Sequence, residues 1–195
     1  MPKLSPNRKG KVTHSETYDN KPDIMTMSKQ ITSSYIPFSA FMINERVYEP
    51  VADESNKIGV LGHGYTGGAH PVGAAVALEN IKIIEERNLV QNAAETGAYM
   101  QEQLGALLDH PLVGEVRGQA LIAAVEVVPP TGREAEFNPG VLGGRLNALM
   151  AENGVISRNM MDALAFCPPL IITRDEVDEV VDILGRSLNQ LDTEL

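Results

Sequence analysis

The chain is short of the features that would tie it to several common classes. Its 195 residues hold one cysteine, Cys167, so no internal disulfide can form and a reducing compartment is expected. No apolar run approaches the roughly 20 residues that span a bilayer. Met1-Pro2-Lys3-Leu4-Ser5-Pro6-Asn7-Arg8-Lys9-Gly10-Lys11 carries positive charge, but no apolar stretch follows it as a secretory signal requires, so a cytoplasmic protein is the expectation. Cations are scarce, with 16 Lys and Arg against 26 Asp and Glu and a net charge of -10. That balance repels phosphate backbones and argues against nucleic acid. His63 and His70 have no Cys, Asp or Glu nearby at ligand spacing, so no metal site is expected and capping or hydrogen-bonded histidines are the reading. There is no internal repeat and no low-complexity segment.

What is present suffices for one domain or two small ones. Residues 1–28 carry five Lys and Arg against three acids, whereas 111–195 carry six against thirteen. Residues 1–14 also lack any apolar period, which predicts a basic disordered tail. Ile24, Met25 and Met27, bounded by Pro22 and a Ser/Thr cluster, predict a buried strand. Residues 35–47 are a second strand-like region broken by Pro37, and the polar stretch 49–57 predicts a loop. Five glycines fall within 59–71, which predicts a loop whose backbone N–H groups can closely approach a ligand. Pro71 suits the first position of a helix, and the Ala-rich stretch 72–86 predicts a helix buried on more than one side.

Further on, Val90, Ala93, Gly97, Met100, Leu104, Leu107 and Leu108 repeat at helical spacing up to Pro111. Residues 113–118 and 121–128 predict two strands, the second ended by Pro129-Pro130-Thr131-Gly132. Leu142, Leu146, Leu149 and Met150 mark a helix closed by Asn153-Gly154, and 155–158 predicts a short strand. Leu164-Ala165-Phe166-Cys167 leads into two prolines. Thr173 with Glu176 makes a capping box ahead of a helix facing inward through Val177, Val180, Val181, Leu184, Leu188 and Leu191. The mixture is α+β or α/β.

The chemistry centres on Lys29. A lysine at the end of a buried strand is half desolvated, which disfavours its ammonium and frees the amine that attacks a carbonyl; a solvated surface lysine is the alternative. Thr66 is a hydroxyl in the Gly-rich loop just ahead of a helix N-terminus, which suits a small phosphate, although a tight turn would read the same way. The loop has neither Gly-x-Gly-x-x-Gly nor Gly-Lys-Ser/Thr. Cys167, between Phe166 and Pro168, reads as an inert packing residue. Arg158 is either a surface charge or a carboxylate clamp.

Taken together, Pro22-Asp23-Ile24-Met25-Thr26-Met27-Ser28-Lys29, Ser33-Ser34-Tyr35, His63-Gly64-Tyr65-Thr66 running into His70-Pro71-Val72-Gly73-Ala74-Ala75, His110-Pro111-Leu112-Val113-Gly114-Glu115-Val116-Arg117-Gly118, and Phe166-Cys167-Pro168-Pro169-Leu170-Ile171-Ile172-Thr173 occur in a telling order. The sequence resembles, over roughly 15–191, the C-terminal half of class III aminotransferases, the pyridoxal-phosphate enzymes that include the amine:pyruvate (omega) transaminases. The resemblance implies an α/β architecture: part of a fold type I large domain with an interdomain helix over 15–88, then an α+β small domain over 89–195. It implies pyridoxal 5'-phosphate as cofactor, an amine or amino acid and a keto acid as substrates, and a homodimer. Lys29 matches the lysine that binds the cofactor through a Schiff base and shuttles the substrate proton. Thr66 matches the threonine that binds the cofactor phosphate from the neighbouring subunit, and Arg158 lies where related enzymes keep a carboxylate-binding arginine.

Two departures stand out. The family's Tyr-Ser-Gly-His-Pro is here Gly67-Gly68-Ala69-His70-Pro71. The family's phosphate-binding Gly-Ser turn, ring-stacking aromatic and ring-nitrogen aspartate precede the matched stretch, and residues 1–14 do not resemble that region, so a truncated chain is expected. A non-catalytic interaction or oligomerisation module, or one half of a split enzyme, is the alternative to a self-sufficient aminotransferase.

Overall fold

A computed structural model describes residues 19–195; the tail expected over 1–14 lies outside them. The described residues divide into two compact units, 19–89 and 90–195.

In the first unit, β1 (Ile24–Ser28) and β2 (Ser39–Ile43) pair antiparallel, with Met27 opposite Ala40 and Thr26 opposite Phe41. A 3-10 turn, Lys29–Thr32, follows β1 directly. The strand's period of two decides what is covered. Met27, Ala40 and Met42 join Ile31, Phe38 and Ala77 in a small core, while Ile24 and Phe41 on the opposite face are 54% and 53% exposed. The expected buried strand is therefore a strand buried on one face, because a two-stranded ribbon packs only one of its sides.

The polar stretch 49–57 is not a loop; it lies within α1 (Glu45–Ile58). Asn44 caps this helix by accepting a hydrogen bond from the Val47 N–H at 3.2 Å, and Gly59 ends it with φ +75°, a left-handed conformation that glycine adopts without a Cβ penalty. Pro50 sits inside the helix and none of its residues is buried, so water can serve the carbonyl that proline leaves unpaired. α2 (Pro71–Glu86) starts on proline as expected. It buries Gly73, Ala77 and Ile84, but Val72 is 54% and Leu78 68% exposed, so it is covered along one stripe rather than on several sides. Gly73 lets the Phe38 ring pack close: a Cβ there would lie 2.6 Å from the ring unless the ring swings aside.

The second unit is a four-stranded antiparallel sheet in the order β3-β4-β6-β5 with three helices. Its strands are β3 (Val113–Gln119), β4 (Ile122–Val127), β5 (Arg158–Met160) and β6 (Ala163–Phe166). The helices are α3 (Leu89–Gly105), α4 (Val141–Glu152) and α5 (Arg174–Glu194). The strand expected over 155–158 begins only at Arg158, because Val155 still serves the end of α4, donating its N–H to the Met150 carbonyl at 2.9 Å. β4 alternates, with Ala123, Val125 and Val127 buried and Ile122, Ala124 and Glu126 less covered. The buried residues share a core with Leu104, Leu146, Leu149, Leu164, Leu184 and Leu188, each at most 1% exposed. The capping box expected at α5 forms in full: Thr173 Oγ1 accepts from the Glu176 N–H at 3.3 Å, and the Glu176 carboxylate accepts from the Thr173 N–H at 2.8 Å. Cys167 is exposed rather than packed; it follows Phe166, which turns inward, so alternation sends it outward.

Candidate functional site

Lys29 is the last link between β1 and the turn, and its backbone is the first unusual feature. Its φ is +55°, and Ser33 and Ser34 follow at +47° and +62°. A left-handed residue other than glycine costs about 1–2 kcal/mol, so this segment is held by something beyond its own preferences, a pattern that concentrates at functional sites. Within the turn, the Ser34 N–H donates to the Lys29 carbonyl at 3.1 Å and the Ser33 N–H to the Gln30 carbonyl at 3.2 Å. Thr32, almost fully buried, donates from Oγ1 to the Ile36 carbonyl at 2.9 Å.

A residue that the sequence did not single out fastens the turn from outside. Asn80 of α2 donates from Nδ2 to the carbonyls of Gln30 at 2.7 Å and Ile31 at 3.3 Å, and its Oδ1 accepts from Ser33 Oγ at 2.7 Å. The signal was available: Asn80 interrupts the packed stripe of Gly73, Ala77 and Ile84, and a polar residue on a packing face needs partners. At the other end of the hairpin Asp23 accepts from Asn44 Nδ2 at 2.6 Å and from both Nε and Nη2 of Arg46. The Asn44 bond, and then the Arg46 guanidinium, hold the Asp23 carboxyl below the usual carboxylate range.

The Lys29 side chain is exposed, so the half desolvation expected from a buried strand is not met within this chain: the strand face beside it is open. Among the described residues its amine has no hydrogen-bond or ion-pair partner, and it makes no bond to Thr66.

Thr66 is also exposed. It occupies a tight turn closed by the Gly68 N–H donating to the Tyr65 carbonyl at 2.8 Å, with Gly67 at φ +77°, the value a type II turn requires at its third residue. Ala69, where the family has glycine, takes φ +54°. His70 then caps α2, its Nδ1 accepting from the Val72 N–H at 3.3 Å. The other histidine is used differently: the His63 ring stands edge-on to Phe41 and to Tyr65, centroids 5.4 Å apart in each case. This ladder rests the loop on the open face of the β1–β2 hairpin. Thr66 thus presents a hydroxyl just before a helix N-terminus, where backbone N–H groups lack intrahelical partners.

Arg158 belongs to the other unit, on the edge strand β5 opposite Ala165, which is itself opposite Ala124, and that in turn opposite Arg117. Two arginines thus bracket two alanines on the less covered face of the sheet. Arg117 is engaged by Glu115 and Glu126 at 2.7 and 2.6 Å. Arg158 is exposed and, among the described residues, has no hydrogen-bond or ion-pair partner. A cavity of about 400 Å³ in this unit is bounded by residues including Met100, Leu104, Phe166 and Val177, and Arg158 does not line it.

The sequence profile of the family described as aminotransferase class-III matches residues 7–188, so the match begins inside the stretch that sequence analysis set apart as unrelated. The chain is 41% identical to the diaminobutyrate–2-oxoglutarate transaminase of Halomonas elongata, over 94% of this chain and 40% of that protein. It is 36% identical to the putrescine–pyruvate aminotransferase of Pseudomonas aeruginosa, over 94% and 40%. Among solved structures it is similar to a transaminase with L-ala at 56% identity and a TM-score of 0.90, over 98% of this chain and 45% of that one. The omega transaminase from Pseudomonas jessenii in complex with PMP follows at 46% and 0.88, over 97% and 42%. The chain spans about two fifths of the length of these curated relatives. Its backbone follows that of a fold type I transaminase throughout the covered part, and with the profile matching nearly end to end, the chain belongs to the class III aminotransferase family.

Proposed function

We propose that the chain carries the lysine-bearing part of an aminotransferase that moves an amino group from an amine or amino acid to a keto acid, with pyridoxal 5'-phosphate as cofactor. The observation that carries this reading is the partner-free amine of Lys29 on a backbone turn held in a left-handed conformation and fastened by Asn80. The donor set fits the cofactor: an amine for its aldehyde, a hydroxyl beside helix N–H groups for its phosphate, and a guanidinium for a substrate carboxylate. When bound, the cofactor supplies the aldehyde for amine exchange and a conjugated ring that accepts the electrons of the broken C–H bond.

In this reading the Lys29 Nζ would hold the cofactor. The same Nζ, when free, would take the proton from the amine-bearing carbon, so one group serves as attachment point and general base. Thr66 Oγ1 donates to the phosphate bound by a second copy of the chain in a homodimer. Ile58, Val60 and Leu61, 65%, 59% and 56% exposed just before that loop, support burial of this region against another surface. Arg158 receives the carboxylate of the amino or keto acid.

The exposure of Lys29 favours a second reading, in which the chain is an interaction module or one half of a split enzyme whose chemistry needs surfaces from elsewhere. Transfer measured with pyridoxal phosphate, a primary amine and a keto acid separates them. The aminotransferase reading expects transfer that Lys29→Ala abolishes and Thr66→Ala lowers by about tenfold or more, the worth of a hydrogen bond to a charged group. Transfer that survives Lys29→Ala contradicts it. Transfer that needs both Lys29 and an added second polypeptide identifies the split enzyme.

A further inference from the structure

We propose that Asn80 is the positioning residue for Lys29: its side-chain amide sets the turn that aims the Lys29 amine. The inference rests on the reading of Lys29 as the cofactor lysine. Asn80 lies 51 residues after Lys29, yet every polar group of its side chain is directed at the turn Lys29 opens. Nδ2 donates to the Gln30 and Ile31 carbonyls, and Oδ1 accepts from Ser33 Oγ. Gln30 Nε2 also donates to Ser33 Oγ, at 3.2 Å, so carbonyl, amide and hydroxyl form one closed set. Ser33 and Ser34 are themselves left-handed and Ser34 donates back to the Lys29 carbonyl. Releasing Asn80 lets those residues relax toward ordinary φ, and Lys29, the third left-handed residue, relaxes with them.

The alternative, that Asn80 merely satisfies itself in the packing face of α2, fits the arrangement less well. A self-satisfying asparagine needs no particular partners, whereas here the amide bonds to the two carbonyls that follow Lys29 and to the hydroxyl that closes its turn. Asn80 also stands in the third turn of the helix that begins right after the Thr66 loop. α2 therefore ties the segment proposed to hold this chain's cofactor to the loop proposed to reach the phosphate bound by a second copy.

The test uses pyridoxal phosphate with borohydride reduction on the full chain, and compares label at Lys29 with label at Lys82, an exposed lysine on the helix that carries Asn80. Asn80→Ala is expected to cut the Lys29 label by about tenfold or more, since displacements of about an ångström at a reacting group cost that much, with Lys82 unchanged. Asn80→Asp, which keeps the acceptor for Ser33 but loses both donations to carbonyls, is expected to behave like Asn80→Ala, and Ser33→Ala to fall between them and the parent. Faster amide exchange at Ser33 and Ser34 in Asn80→Ala, with melting temperature and m-value held, marks loss of aim rather than of fold. Undiminished, selective Lys29 label in folded Asn80→Ala overturns the proposal. Should Asn80→Ala fail to fold, Lys29 label in Ser33→Ala equal to that of the parent overturns it instead. Equal label at Lys29 and Lys82 in the parent chain overturns the underlying reading and the aiming role with it, a result distinct from the other two.

Discussion

The two units bury their apolar residues in different ways. In 90–195 an extensive core forms: Leu104, Leu112, Leu121, Leu146, Leu149, Met150, Leu164, Leu184, Leu188 and Leu191 are each at most 1% exposed. In 19–89 the buried apolar residues are Met27, Ile31, Ala77 and Ile84, while Ile24, Phe41, Tyr48, Ile58, Leu61, Tyr65 and Leu78 are more than half exposed. The second unit is held by packing. The first is held by directional clamps, Asn80 on the Lys29 turn and Asp23 on Asn44 and Arg46. Hydrogen bonds contribute about 1 kcal/mol net each, against about 1.5–3 for each large apolar side chain buried. The residues proposed for cofactor chemistry, Lys29 and Thr66, therefore sit in the unit with the thinner core, where low local stability and functional loops commonly coincide.

Core truncation should sharpen this contrast most. Leu184→Ala, at 0% exposure, is expected to cost about 3–4 kcal/mol in denaturant unfolding of 90–195. Met27→Ala should cost about 2 kcal/mol at most, because its neighbours Phe38, Ala40 and Met42 are only partly buried and can close in. Equal costs would break the distinction. The next largest difference lies between two helical glycines. A Cβ on Gly97 would fall on the backbone of Ala120 and Leu121, which cannot yield, so Gly97→Ala should cost about 2–3 kcal/mol. At Gly73 the obstacle is the Phe38 ring, which can swing; the roughly 1 kcal/mol that alanine gains in helix propensity offsets the crowding, and the net change should be near zero.

Smaller still is Thr173→Ala, which removes the cap of α5 and should lower stability by about 1 kcal/mol. The pH dependence follows from the two ends of the same helix. The Thr173 N–H, with its hydroxyl second, holds the Glu176 carboxyl below its ordinary 4.5. Bonding to Arg145, first among the causes, does the same for Glu194. For a lowered carboxylate the stabilising share is present above the ordinary value and is lost as pH falls through the lower folded one. The α5 contribution should therefore hold above about pH 4.5 and fade below it, and Thr173→Ala, which removes only the hydroxyl's smaller share, should make the acid limb slightly shallower by circular dichroism.

Much of 90–195 was legible because period and punctuation agree there. The stripe from Ala93 to Leu104, the capping box at Thr173 and the Asn153-Gly154 stop each state an element in local terms. The first unit was harder to read. α1 looked like a loop because its polar residues and Pro50 mask the spacing of Val47, Val51 and Ile58, and because the Asn44 cap was not recognised. β1 looked fully buried because an apolar run does not disclose how many faces are covered. Lys29 could be named from its motif, but its left-handed backbone and its Asn80 clamp depend on a residue 51 positions away, a pairing that no local pattern expresses. Its exposure has the same origin: desolvation belongs to surroundings, not to sequence position.

The most direct measurement of the central claim maps the lysines that become irreversibly modified when the protein is mixed with pyridoxal phosphate and reduced with borohydride. One modified site per chain, at Lys29, with Lys21, Lys57 and Lys82 bare at equal reagent, is the predicted result. Modification spread over these exposed lysines in proportion to their accessibility would contradict it.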